Sequence, residues 1–498
     1  MNLPSLSRTL AAFVLFSSIG GSRRVVCALM AGAALALASC GGGSGGVPLP
    51  NASTPPAPSA PPAPPPPGPP VPPPITYAVS GTVSGLLGKG LVLQNNGVDD
   101  QAIAADGSFR FSTALASGAG FAVTVKSQPN ILSRVCTVSN GSGTVAGAAV
   151  VNVVVTCAAP AARFAYVINE NGGSVWAYTL DADSGALSRA PASDATTGSS
   201  PLFIAVHPAG RFAYVANYGS GNVSAYKIDS DTGAFSEVPG SPVAAGDRPT
   251  SVAVDPTGRF AYVANERSYT VSSYTINASS GALSPITSKP TVATGDGPTA
   301  VATDPTGRFV YLVTSVHTVE VFAIHPTSGE LTKIPGPDAS TGALPLSIAF
   351  APSGRFAYVA NRFTDNVSSY TVDPTSGALH PTAPQPSAAT GDNPISVNVD
   401  PTGRFVYVTN VHSNSVSAFR IDGGSGALSE ITVPPVSSGG REPYFIAVEP
   451  SGRFAYAANW ASDTVVRFTI DPTSGALSLI SGSAIATGVS PRAMVFAR

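Results

Sequence analysis

Six side chains in the C-terminal two-thirds of this sequence combine reactive chemistry with positions that do not repeat: Arg248, Glu266, Arg267, His412, Arg441 and Arg492. An arginine offers a fork of hydrogen bonds to a carboxylate or phosphate, and a glutamate or histidine nearby can take a proton from water for attack on a carbonyl. Glu170, His317, Arg362 and Glu442 fall at related places, with Tyr218, Tyr269, Tyr444 and Trp460 among them. No Ser-His-Asp elbow, phosphate-cradling glycine loop or zinc-ligand spacing is present. Asp181-Ala-Asp-Ser-Gly185 and Asp229-Ser-Asp-Thr-Gly233 begin like calcium loops but lack the remaining acidic ligands, so they read as turns. The expectation is a site with no metal and no cofactor.

The elements that must hold these groups are set by a repeat. Asp255-Pro-Thr-Gly-Arg-Phe-Ala-Tyr-Val-Ala-Asn265 has near copies that place an arginine at 163, 211, 259, 308, 355, 404 and 453. Spacings of 47 to 49 residues belong to the blades of a β-propeller. Residues 163–498 number 336, seven times 48, which predicts seven blades. Within one copy, strands are expected at 250–254, 260–264, 270–276 and 283–287, counted from the channel outwards. The Pro-Thr-Gly turn and the later Ser-Gly-Ala turn then share one face of the disc, and the loops bearing the non-repeating residues share the other. The first copy lacks an innermost strand, while Pro491 to Arg498 ends the chain without partners, so this last strand should complete the first blade and close the ring.

Residues that repeat sevenfold are poor candidates for catalysis, because a site needs one acid or base in one place. The repeated arginine is expected to pair with a nearby aspartate or cap a turn. The asparagine ending the second strand (169, 217, 265, 361, 410, 459) is expected to tie down the following loop.

This pattern, with Tyr407-Val-Thr-Asn410 present literally, resembles the lactonase-type (6-phosphogluconolactonase-like) seven-bladed propellers and the related Tyr-Val-Thr-Asn repeats of surface proteins. The resemblance implies a metal-independent lactone hydrolase working at the channel mouth. Glu266, directly after Asn265, matches the family's Asn-Glu position, and Glu170 repeats it in the first blade. Where such relatives carry Pro-His and Arg-His pairs, this chain has Arg248-Pro249 and Arg492-Ala493.

The N-terminal third carries no such repeat. Residues 1–39 read as a lipoprotein signal peptide: Arg23 and Arg24 precede an apolar run that is too short to span a membrane and ends in Leu37-Ala38-Ser39-Cys40. This closely resembles a bacterial lipobox, which implies acylation of Cys40 and anchoring to a membrane; an ordinary signal peptide is the plainer alternative. Gly41 after the cysteine resembles the outer-membrane-sorted type, so the cell envelope is the expected location. Residues 40–75 form a Gly/Pro-rich tether that can bury no core and extends as polyproline II. Residues 76–159 alternate in short strands, as at Phe121/Val123/Val125, with Asp106-Gly107 expected to turn a hairpin. This segment reads as a small β-sandwich resembling immunoglobulin-like or carboxypeptidase-regulatory-like modules. An exported chain makes Cys136–Cys157 the expected disulfide. Residues 160–498 are the propeller, so the fold class is all-β.

Charge is sparse, at 11% of residues with a net of −2, or about −5 after cleavage before Cys40, so there is no basic field to attract nucleic acid. Two functions follow from these features. The first, preferred from the sequence, is a tethered platform whose variable face binds an envelope protein, a glycan or a small anionic ligand; the second is lactone hydrolysis.

Overall fold

The computed structural model describes residues 74–131, 134–158, 161–190, 193–431 and 434–498; the export segment, Cys40 and most of the tether lie outside these residues. The structure is all-β. Seven separate sheets follow one another along the chain, each with four strands in antiparallel order and one further short strand. The third blade is representative, with strands Pro249–Val254, Phe260–Asn265, Thr270–Ile276 and Leu283–Pro285. In the first blade the innermost place is taken by Pro491–Ala497, which pairs with Phe164–Asn169 from Phe164↔Ala497 to Asn169↔Pro491. The ring therefore closes by joining the two ends of the propeller, as the count of seven required.

The repeated block folds as it does because every side chain in it is used. In Asp255-Pro-Thr-Gly-Arg259, Gly258 supplies a φ of 74°. The buried Asp255 carboxylate accepts the backbone N–H groups of Thr257, Arg259 and Phe260 at 3.0, 2.7 and 2.7 Å. Phe260–Asn265 is buried at all six positions, and its alternation divides the strand between two neighbours. Phe260, Tyr262 and Ala264 pack towards the fourth blade with Val310 and Leu312. Ala261 and Val263 pack towards the second blade with Phe212 and Tyr214. Two apolar faces per strand are what a sheet sandwiched between sheets requires.

Tyr262 also donates its hydroxyl to the carbonyl of Gly329, in the outer turn of the next blade, at 2.9 Å. The Phe260 ring lies on the same glycine, where a Cβ would come within 2.3 Å of it. Arg259 does not pair with an aspartate. Its guanidinium stacks over Phe260, 4.9 Å from the ring centroid, and donates to the carbonyl of Pro326 in that same outer turn at 2.7 Å. Asp255 is already taken up by backbone N–H groups, so of the two expectations for the repeated arginine the turn cap is the one realised. Across the closing seam, Tyr456 donates to the carbonyl of Gly185 at 2.6 Å, and Arg453 to that of Ala182.

Two expectations about strands change. The outermost strand spans only Leu283–Pro285, and a second short strand, Thr291–Ala293, pairs with the other end of Thr270–Ile276. Pro285 and Pro290 cannot donate to a ladder, and an interrupted edge is a common defence against pairing with other chains. Asp106-Gly107 does not turn a hairpin. Asp99–Ile103, a strand missed in the sequence, pairs with Leu91–Asn95 in one sheet, whereas Gly107–Arg110 pairs with Val79–Ser84 in the other. The chain crosses between sheets there, and the Asp106 carboxylate accepts the N–H groups of Gly85 and Leu86 at 2.9 and 2.7 Å.

The two four-stranded sheets of this N-terminal module enclose Val79, Leu91, Leu93, Val153 and Val155, all fully buried. The Cys136–Cys157 disulfide is formed between directly paired residues of neighbouring strands.

Candidate functional site

One backbone device positions the side chains at the channel mouth. In six of the seven blades the residue before the strand-opening proline adopts a positive φ, at Ser200, Arg248, Leu344, Asn393, Glu442 and Ser490. Its carbonyl then accepts the N–H of the residue that follows the next strand's terminal Asn, as in Glu266 to Arg248 at 3.0 Å and Glu170 to Ser490 at 2.9 Å. Asn265 completes the arrangement, donating to Thr270 and Ser272 and accepting the Gly246 N–H at 3.0 Å. A Cβ on Gly246 would meet the Asn265 side chain at 2.7 Å, so the glycine of each Gly-x-x-Pro loop is there for close approach. In the fourth blade the asparagine is Thr314, and the buried Glu320 instead accepts the equivalent Gly295 N–H at 2.7 Å.

Two rings of residues result. The upper ring, directly after the terminal Asn or its replacement, contains Glu170, Tyr218, Glu266, Ser315, Arg362, Val411 and Trp460 in blade order. The lower ring, directly after the proline, begins with Arg492 in the first blade and ends with Tyr444 in the seventh. The lower ring, the next residues of the inner strands and, from the upper ring, Glu170, Tyr218 and Glu266 line a cavity of about 380 Å³.

Glu266 and Tyr218 meet there. The Tyr218 hydroxyl donates to Glu266 Oε2 at 3.0 Å, and the Arg248 guanidinium lies 5.3 Å from the Tyr218 ring centroid. Burial, followed by the neighbouring Glu266 carboxylate, pushes the Tyr218 phenol above its usual range. A similar set lies at the closing seam. Trp460 Nε1 donates to Glu170 Oε2 at 3.0 Å, and Arg492 stacks on Tyr444 at 4.3 Å. Arg492 approaches Glu170 at 3.9 Å, too far for a hydrogen bond, so its donors remain available to a bound anion.

The six residues singled out in the sequence therefore separate. Glu266 and Arg492 line the cavity, and Arg248 stands beside it over Tyr218. Arg267 faces solvent 3.6 Å from Asp247, an exposed pair of little energetic weight. Arg441 donates to the carbonyl of Ala461 at 3.1 Å, and His412 is exposed; neither lines the cavity. The sequence reading missed the inner-strand positions Thr250, Leu346 and Ile395, all of which line it. A signal was present, since the residue after the proline differs from copy to copy while the strand around it stays apolar.

Among the described residues, no group of three or more His, Cys, Asp or Glu side chains is placed to hold a metal ion. No helix among them is long and apolar enough to cross a membrane. His207, on the opposite face, is buried and makes contacts of a structural kind, with Nε2 3.0 Å from the Gly258 carbonyl.

The family model described as Lactonase, 7-bladed beta-propeller matches residues 142–439 and 385–496. No curated protein matches the chain. Among solved structures, a 6-phosphogluconolactonase, so named provisionally, from Bacteroides uniformis is 18% identical over 68% of this chain and 100% of its own, with a TM-score of 0.59. The periplasmic gluconolactonase PpgL of Pseudomonas aeruginosa is 24% identical over 67% of this chain and 99% of its own, with a TM-score of 0.57. A similarly named protein of Bacteroides fragilis is 19% identical over 68% and 98%, with a TM-score of 0.59. At these identities the structural likeness speaks for the fold alone.

Proposed function

Because the chain belongs to the Lactonase, 7-bladed beta-propeller family, we propose that it hydrolyses lactones in the cavity at the channel mouth. The observation that carries this reading is one cavity lined by both Glu266, with one carboxylate oxygen held by Tyr218, and Arg492, with guanidinium donors that stay available. The sequence alone ranked a binding platform first. Family membership and a carboxylate and arginine lining a concave site favour the hydrolase.

The chemistry needs no group beyond these residues and water. Glu266 takes a proton from a water molecule through its second carboxylate oxygen, and the water oxygen attacks the lactone carbonyl. Arg492 neutralises the oxyanion that develops on the former carbonyl oxygen. The ring C–O bond then breaks, and the protonated Glu266 returns the proton to the departing alkoxide, giving a hydroxy acid. Tyr218 fixes the carboxylate in the orientation this transfer requires. Glu170 and Trp460 hold the region around Arg492.

The proposal extends to location. The Leu37-Ala38-Ser39-Cys40 sequence supports lipidation at Cys40 and work at the envelope, and the Pseudomonas aeruginosa relative bears a periplasmic name. The test is a pH-stat assay of the purified full chain on a panel of lactones that includes glucono-δ-lactone, with Glu266→Gln and Arg492→Ala alongside. Turnover that these variants lose supports the reading. An inactive wild-type chain across the panel returns preference to the binding platform.

A further inference from the structure

The charged groups of the cavity lie to one side of it. All three charged residues that line it, Glu170, Glu266 and Arg492, come from the first and third blades. The wall formed by the fourth to sixth blades presents Val301, Leu346, Ile348 and Ile395. Hydroxyls exist on that wall too, each in contact with backbone, though the two serines only accept there and keep their own O–H donors. Thr299 Oγ1 donates to the carbonyls of Val313 and Pro345 at 3.2 and 2.8 Å. Ser347 Oγ accepts the Val397 N–H at 3.3 Å, and Ser396 Oγ accepts that of Ile446 at 3.4 Å. Around these few hydroxyls the wall offers a ligand the four aliphatic side chains Val301, Leu346, Ile348 and Ile395.

The size of the cavity points the same way. A cavity of about 150 Å³ accommodates a bare six-membered ring, whereas this one measures about 380 Å³.

We infer that the lactone handled here is amphipathic: its ring carbonyl meets Glu266 and Arg492, and an acyl or alkyl substituent lies along Leu346, Ile348 and Ile395. The inference rests on the hydrolase reading and narrows its substrate class. A substituent desolvated along this wall contributes binding in proportion to its apolar area. A purely polar sugar lactone would leave the wall wet.

The experiment measures kcat/KM of the full chain for γ-butyrolactone, γ-octalactone, γ-dodecalactone and glucono-δ-lactone. The expected result is a rise of about fourfold for each added methylene until the wall is covered. Leu346→Gln, checked for folding by circular dichroism, should flatten that dependence and lower the ratio of dodecalactone to butyrolactone rates at least tenfold. Activity on glucono-δ-lactone with no gain along the alkyl series overturns the amphipathic substrate and leaves the hydrolase standing. No hydrolysis of any of the four overturns both. A gain with chain length that survives Leu346→Gln unchanged also overturns the assignment of the wall.

Discussion

The hydroxyl of Tyr218 donates to Oε2 of Glu266 at 3.0 Å, joining the second blade to the third at the mouth of the channel. The two residues occupy the same place in successive repeats, directly after Asn217 and Asn265. A structural motif has thus delivered two different side chains to neighbouring corners of one cavity.

Tyr218→Phe removes the donor while keeping the ring under Arg248. The expected outcome is a fall in kcat of about tenfold with little change in KM, because the carboxylate loses orientation rather than identity. Glu266→Gln should cost about a hundredfold or more, the range for loss of a general base. Steady-state kinetics on the best lactone of the panel check both.

Arg492→Lys keeps the charge but loses the fork and much of the stacking on Tyr444, so it should recover only part of the activity that Arg492→Ala loses. Equal activity of the lysine variant and the wild type would remove Arg492 from the oxyanion role.

Alkali should unfold the propeller cooperatively. The buried tyrosines of the repeat, Tyr262 and its equivalents, donate to carbonyls of the next blade, and burial raises their phenols above the usual range. Tyr178 is pushed up to about 12 by the same cause. The unfolded chain releases these protons near the ordinary value of about 10 while the folded chain retains them. Their contribution is complete below about pH 10 and is lost as pH rises towards the folded values. Urea midpoints measured from pH 8 to 11.5 should stay level and then fall with a slope steeper than one proton. A single-proton slope would deny the tyrosines a collective role.

Truncation before Pro491 removes the strand that closes the ring. It discards a run of ladder bonds to Phe164–Asn169, each contributing about 1 kcal/mol, together with the buried Ala493, Met494 and Ala497. The melting temperature should fall by about 10 °C or more, a large effect for eight terminal residues. A melting temperature within about 2 °C of the intact chain would show that the seam contributes little.

Much of the architecture was legible because its causes are local. Asp255-Pro-Thr-Gly-Arg259 specifies a turn through its own aspartate and glycine, and Phe260–Asn265 specifies a strand buried on two faces by being apolar throughout. The period then counted the blades, and the missing and surplus strands at the two ends dictated closure. The outermost strand and Asp106-Gly107 were read less well, since an interrupted edge and a crossover between sheets depend on which strand pairs with which.

The site divides on the same line. Sequence variation after Asn265 pointed to the face that holds the cavity and to Glu266, which lines it. The repeat also makes Tyr218 and Glu266 neighbours, as any two equivalent residues in successive blades must be. The predicted closure likewise makes Trp460 and Glu170, 290 residues apart, neighbours, but that Trp460 Nε1 donates to the Glu170 carboxylate depends on side-chain orientations that only the packed seam decides. Nor did the repeat separate Arg492, lining the cavity, from Arg267 and Arg441, which face solvent. A side chain's type is fixed by the sequence, but the cavity it meets is enclosed by seven inner strands at once and arises only from their arrangement around one axis.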